Sequence, residues 1–171
     1  MKTEFELEKN KLYWLKDKES VYIPGTYRES AVSGACNFQD YRTGASIICK
    51  LSDIYQPVVP PYSSLTEVSE DLVNSIDISE PYILWSLRAR FLDKYIYSSI
   101  GTIIIALNPY RNLPELYTQE LLYKYAHLAD TAVLPPHIWT IARASYINLK
   151  STGLRQAIVI SGESGAGTEL N

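Results

Sequence analysis

Between Leu12 and Leu51 apolar residues gather in short runs broken by polar and turn-forming residues. Leu12-Tyr13-Trp14-Leu15, Ser20-Val21-Tyr22-Ile23 and Ala45-Ser46-Ile47-Ile48-Cys49 each predict a strand, with Pro24-Gly25 punctuating the second. Short strands with polar turns predict a small β-barrel-like module over residues 1–56. Gln56-Pro57-Val58-Val59-Pro60-Pro61 follows. Its prolines exclude a helix interior or a central strand, so residues 57–62 read as a linker.

From residue 63 to residue 171 the pattern mixes helical and strand periods. Ser64 can cap a segment that sets Leu65, Val68, Leu72 and Val73 on one helical face. A second helix is expected after Ser79 as cap, with Pro81 in its first turn and Ile83, Leu84, Leu87 and Phe91 as its apolar stripe. Tyr95-Ile96-Tyr97 and Thr102 to Leu107 predict two strands, with Ser98-Ser99 and Gly101 allowing a hairpin or bend. Asn108-Pro109 ends the second of them. Thr118 can cap a helix through Leu121, Leu122 and Tyr125, and Pro135-Pro136 precedes one carrying Ile138, Ile141, Ala142 and Tyr146. Ala157-Ile158-Val159-Ile160 is apolar throughout, as a strand covered on both faces would be. The fold class expected is mixed α/β.

That last run leads straight into Ser161-Gly162-Glu163-Ser164-Gly165-Ala166-Gly167. A glycine-rich loop after a buried strand is where mononucleotide phosphates are held, because backbone N–H groups can converge there on anionic oxygens. The full pattern is G-x-x-x-x-G-K-[ST]. Gly162 to Gly167 supplies six positions, and Thr168 stands where lysine belongs. A charge-assisted hydrogen bond to phosphate contributes about 1.5–3 kcal/mol, so its loss implies roughly ten- to hundred-fold weaker binding. Two registers are open. In one, Thr168 takes the lysine position and Glu169 the magnesium-ligand position, where a carboxylate repels phosphate. In the other, a loop contracted by one residue keeps Thr168 at the metal.

Asp71-Leu72-Val73, Ser79-Glu80-Pro81-Tyr82-Ile83-Leu84, Leu87 with Arg88 and Arg90, and Tyr95-Ile96-Tyr97 resemble the opening of a myosin motor domain. So do Ile104-Ile105-Ala106-Leu107-Asn108-Pro109-Tyr110 and Pro135-Pro136-His137-Ile138-Trp139-Thr140-Ile141-Ala142, and Ile160 to Gly167 is similar to the family's phosphate loop. The resemblance runs in order over about residues 60–169, and the β-rich region before it is similar to the small barrel many myosins carry. It implies an ATP-dependent actin motor that uses Mg2+. The phosphates would lie on Gly162, Glu163, Ser164, Gly165, Ala166, Gly167, Thr168 and Glu169, with Thr168 the candidate at magnesium. It also implies a purine side made by Asn108, Pro109 and Tyr117. Two positions depart from the family: Glu115-Leu116 sets Tyr117 one residue late, and Asn112 replaces a common basic residue. The plain alternative for Tyr117 is a tyrosine packed near a turn.

By resemblance, the two switch loops, the actin-binding half and the light-chain sites follow the phosphate loop. An incomplete P-loop NTPase-type motor section is therefore expected, with the central sheet drawing strands from later sequence. Taken alone, the 171 residues are expected not to hydrolyse ATP, and no catalytic residue is assigned. The alternative is a non-enzymatic protein that binds a cytoskeletal partner. His137, in a first helical turn, reads as a packed or capping residue, and His127 has no assigned role.

Composition narrows the partners further. The chain is 46% hydrophobic and 20% charged with net charge −3, which gives no general attraction to nucleic acid or to an acidic membrane. Its apolar runs are too short to span a bilayer and its start lacks a secretory core, so a cytoplasmic, cytoskeletal location is expected. Cys36 and Cys49 form no CxxC pair and read as reduced, partly buried thiols.

Overall fold

The computed structural model describes residues 6–30, 34–127 and 133–166. The chain divides into two compact units, Met1–Val68 with Ile76–Ser86 and Ser69–Ser75 with Leu87–Asn171.

In the first unit, β1 (Leu12–Asp17), β2 (Val21–Ser30), β3 (Ala35–Asp40), β4 (Ser46–Lys50) and β5 (Ile54–Pro57) form one antiparallel sheet. Its order is β4-β3-β2-β1-β5, with ends at β4 and β5. The continuous apolar run of β1 reflects cover on both faces, with side chains alternating at period two. Leu12 and Trp14 enter one core cluster with Val58, Leu65, Tyr82 and Trp85. Tyr13 and Leu15 enter another with Tyr27, Cys36, Phe38 and Ile54.

Pro24-Gly25 does not punctuate the second strand. Both residues lie inside β2, paired with Trp14 and Tyr13 of β1. Gly25 is there for space, since a Cβ would stand 2.6 Å from Leu15 Cδ1 and 3.2 Å from Phe38 Cβ. Gln56 and Pro57 belong to β5 rather than to the irregular segment, and Pro57 closes that end strand, where proline is tolerated.

The helix expected after Ser64 is absent. Its residues form two 3-10 turns, Tyr62–Leu65 and Leu72–Asn74, in different units. Local side-chain bonds outcompete the helix between them. The Ser69 hydroxyl bonds the Asp71 backbone, and the Asp71 carboxylate accepts from the Val73 N–H at 3.1 Å.

Helix α1 (Glu80–Leu92) starts as expected, with the Ser79 carbonyl accepting from Ile83 N–H and the Ser79 hydroxyl donating to Asp77. Its buried stripe is not the expected one. Tyr82, Trp85, Ser86 and Arg90 are buried, whereas Leu84 and Phe91 are exposed. That is a rotation of about 100°, or one residue. The indole N–H of Trp85 donates to Leu65 O at 2.9 Å, which lets a large amphipathic ring bury. Arg90 is tolerated inside because Nε donates to Ser98 Oγ and Nη2 to Tyr97 O, both at 2.8 Å.

In the second unit, β6 (Tyr97–Ile100) and β7 (Ile103–Ala106) form the expected hairpin. Ser98 and Ser99 lie within β6, and the reversal falls at Gly101, with φ of 59°. Asp71 secures that turn by accepting from the Gly101 N–H at 3.0 Å. α2 (Gln119–His127) begins after Thr118, whose carbonyl and hydroxyl accept from Leu122 and Leu121 N–H. Of its expected apolar residues Tyr125 is buried, while Leu122 is exposed. α3 (Ile138–Thr152) is capped by His137 at its start and by Gly153, φ 69°, at its end.

Ala157–Ile160 forms no strand. The segment has no regular secondary structure and is exposed, with Val159 88% accessible, and no described strand offers it a ladder. The expectation of a buried strand is therefore not met: an apolar run needs pairing partners to become one, and none of the described strands supplies them.

Candidate functional site

The second unit carries a cavity of about 580 Å³ where the chain leaves β7. Asn108, Pro109, Tyr110, Arg111, Tyr117 and Ala166 are among its lining residues. Among the described residues the lining holds one cation, Arg111, and no carboxylate. Its size lies within the range of small-molecule sites.

Asn108 organises the cavity mouth. Its Nδ2 donates to Gly165 O at 3.0 Å, and its Oδ1 accepts from Tyr110 N–H at 2.8 Å. Tyr110 adopts φ of 49°, a left-handed conformation uncommon outside glycine, and its hydroxyl donates to the same Gly165 carbonyl at 3.3 Å. Backbone strain of this kind persists where the surroundings fix it, as these bonds do. On the other side, Ala166 N–H donates to Glu163 O at 2.9 Å across a turn in which Gly165 has φ of 85°. Two segments more than fifty residues apart thus share one carbonyl.

Of the residues singled out in the sequence, Asn108, Pro109, Tyr117 and Ala166 border the cavity. Gly162, Glu163, Ser164 and Gly165 are exposed in the adjoining loop. Gly167, Thr168 and Glu169 lie outside the described residues. Among the described residues no three His, Cys, Asp or Glu side chains gather to hold a metal ion. Sequence reasoning gave no role to Tyr110 or Arg111. Their adjacency to Asn108-Pro109 was the available signal.

Tyr117 combines both readings offered for it. It lines the cavity at 43% exposure, yet its hydroxyl is 2.7 Å from that of Tyr97 and its ring meets His137 and Trp139. Burial, then the bond to Tyr117, raises the Tyr97 phenol well above its ordinary value, so the Tyr97 phenol stays neutral near pH 7. Their hydrogen bond fixes the Tyr117 ring at the cavity edge.

His137 anchors this aromatic group. It is 2% exposed, Nδ1 accepts from Trp139 N–H at 3.2 Å, and Nε2 lies 3.0 Å from Leu116 O. An accepting Nδ1 requires the proton on Nε2, which donates to that carbonyl: this is the neutral tautomer. Burial lowers its pKa, opposed by the bond to Leu116. The folded unit therefore binds this proton less readily than the unfolded chain. Stability is fully present above about pH 6.5 and falls as pH drops below it. Thermal melting at pH 7.5 and 5.5 should show that loss, and a His137→Asn variant, which can still cap, should show a flatter profile.

Residues 69–171 match the family model described as myosin head (motor domain). The chain belongs to the myosin family. It is similar to Myosin-52 of Schizosaccharomyces pombe, 34% identical over 92% of this chain and 11% of that protein. It is likewise similar to Myosin-14 of Arabidopsis thaliana, 34% identical over 90% of the chain and 10% of the relative. The high molecular weight form of myosin-1 of Acanthamoeba castellanii is 35% identical over 90% of the chain and 10% of its own length. The chain spans about a tenth of the length of these curated relatives. Within this myosin-family chain, the described site combines an Asn108-Pro109 turn, an aromatic wall and a glycine turn around one cavity. No helix among the described residues is long and apolar enough to cross a membrane.

Proposed function

We propose that this chain is the N-terminal section of an ATP-driven, actin-based cytoskeletal motor, with a β-rich module over residues 1–56 ahead of the motor section. Its cavity takes the purine side of ATP, against Asn108, Pro109 and Tyr117, and the loop from Gly162 to Thr168 takes the phosphates. The observation that carries this reading is the bond from Asn108 to Gly165, which ties the base side to the phosphate side. Arg111 at the lining offers a cation to an anionic ligand. Tyr110 and Tyr117 offer ring faces to a base.

Threonine at position 168 removes the lysine contact to phosphate, so ATP binding by the 171 residues is expected to be weak. Hydrolysis requires magnesium, water and the γ-phosphate to be positioned together, and one loop does not supply that arrangement. Actin and light-chain binding are proposed for the whole motor rather than for these residues.

Titration with a fluorescent ATP analogue tests the reading. Asn108→Ala should weaken binding roughly ten-fold, the equivalent of one net hydrogen bond of about 1–1.5 kcal/mol. Equal affinity for the variant and the parent chain would remove Asn108, and with it the joined site.

A further inference from the structure

Cys36 and Cys49 are thirteen positions apart in sequence, yet strand pairing sets them directly opposite each other. They are register partners in the antiparallel ladder of β3 and β4. Directly opposed residues in such a pair project to one face, with Cβ atoms about 4.5–5.5 Å apart. That spacing adjoins the Cβ separation of about 3.5–4.5 Å found in disulfides. Both side chains pack against the same core cluster, beside Tyr27, Phe38 and Ile54, which places them on a common face. Both are free thiols.

We propose that Cys36 and Cys49 are a reversible dithiol–disulfide couple, a redox modification site that staples the end strand β4 to β3. The two differ in access: Cys49 is half-buried and Cys36 is 3% exposed. Cys49 is therefore the first to meet a low-molecular-weight disulfide. Its thiolate attacks one sulfur of that disulfide, forming a mixed disulfide and releasing one small thiolate. The Cys36 thiolate then attacks the Cys49 sulfur, forming the cross-strand bond and releasing the second small thiol. Two protein thiols are oxidised and one external disulfide is reduced to two thiols, so atoms and electrons balance. Burial, then the neighbouring Cys36, pushes the Cys49 thiol up to about 11. Little thiolate is present near pH 7, and the couple stays reduced until the external disulfide is abundant or the pH rises.

The test uses the full chain with glutathione disulfide as oxidant, followed by intact-protein mass spectrometry without reductant. The expected product is a monomer about two mass units lighter, carrying no glutathione. Cys36→Ser should instead keep a single glutathione on Cys49, and Cys49→Ser should remain largely unmodified because Cys36 is buried. The glutathione ratio needed for half-oxidation reports the effective concentration of the pair. The native chain should require about ten-fold less oxidising conditions than the chain in urea, because the ladder holds the thiols together. A stable glutathione adduct on the parent chain, a disulfide-linked dimer, or the same ratio with and without urea would overturn the proposal.

Discussion

Replacing Trp14 by alanine is expected to cost the first unit about 3–5 kcal/mol, the range for truncating a fully buried tryptophan. Trp14 is 0% exposed on β1, between β2 and β5, and contributes to the cluster of Leu12, Val58, Leu65, Tyr82 and Trp85. Its ring meets that of Trp85 edge-on, with centroids 5.9 Å apart. Alanine would leave a cavity that rigid strand neighbours cannot fill. A domain's whole stability is about 5–15 kcal/mol, so this change removes a large part of it. Amide exchange in β1, β2 and β3 should accelerate by two orders of magnitude or more, at about 1.4 kcal/mol per ten-fold. Trp14→Phe separates packing from polarity. The indole N–H is buried with no acceptor among the described residues, so phenylalanine removes a donor that gains nothing there. Its cost should stay below about 1.5 kcal/mol. Comparable losses for alanine and phenylalanine would show that the indole N–H matters more than the volume.

Inserting a lysine between Gly167 and Thr168 is expected to tighten ATP binding roughly ten- to hundred-fold. The insertion restores G-x-x-x-x-G-K-T, supplying a cation to the phosphates and moving the threonine hydroxyl to the following position. Thr168→Lys supplies the same cation but leaves Glu169 next, where its carboxylate opposes the phosphates. It should therefore gain less than the insertion. The gain should shrink as salt rises, because it is electrostatic. Equal and negligible gains from both variants would mean that the glycine turn does not hold phosphate.

Much of this was legible along the chain, and the exceptions have physical causes. Leu12 to Leu15 announced a strand because four consecutive apolar residues need cover on two sides. Thr118 located a helix start because capping is local chemistry, whereas Ser79 precedes α1 with its hydroxyl turned to Asp77 rather than to the helix. Pro24-Gly25 misled because a close approach across the sheet, by Leu15 and Phe38, requires a glycine as firmly as a turn does. The segment after Ser64 had helical spacing, but Ser69 and Asp71 tied up its backbone locally. In α1, hydropathy favoured Leu84 and Phe91, whereas the buried face belongs to Tyr82 and Trp85, whose polar atoms find partners across the fold.

The candidate site divides in the same manner. Asn108, Pro109 and the glycine loop came from motifs, which local sequence preserves. Tyr110, Arg111 and the Tyr97–Tyr117 bond depend on which distant segments meet, and spacing alone does not encode that. Cys36 opposite Cys49 is likewise a matter of strand register. Ala157–Ile160 shows the converse. Its apolar pattern predicted a buried strand, yet the segment forms no strand and is exposed, because no described strand pairs with it.

The most direct test of one nucleotide site built from the Asn108 turn and the glycine loop is hydrogen–deuterium exchange with and without saturating ATP and Mg2+. The joined site predicts slower exchange together in residues 106–117 and 162–166, with β1 to β5 unchanged. Protection in only one of those two segments, or none in either, would contradict it.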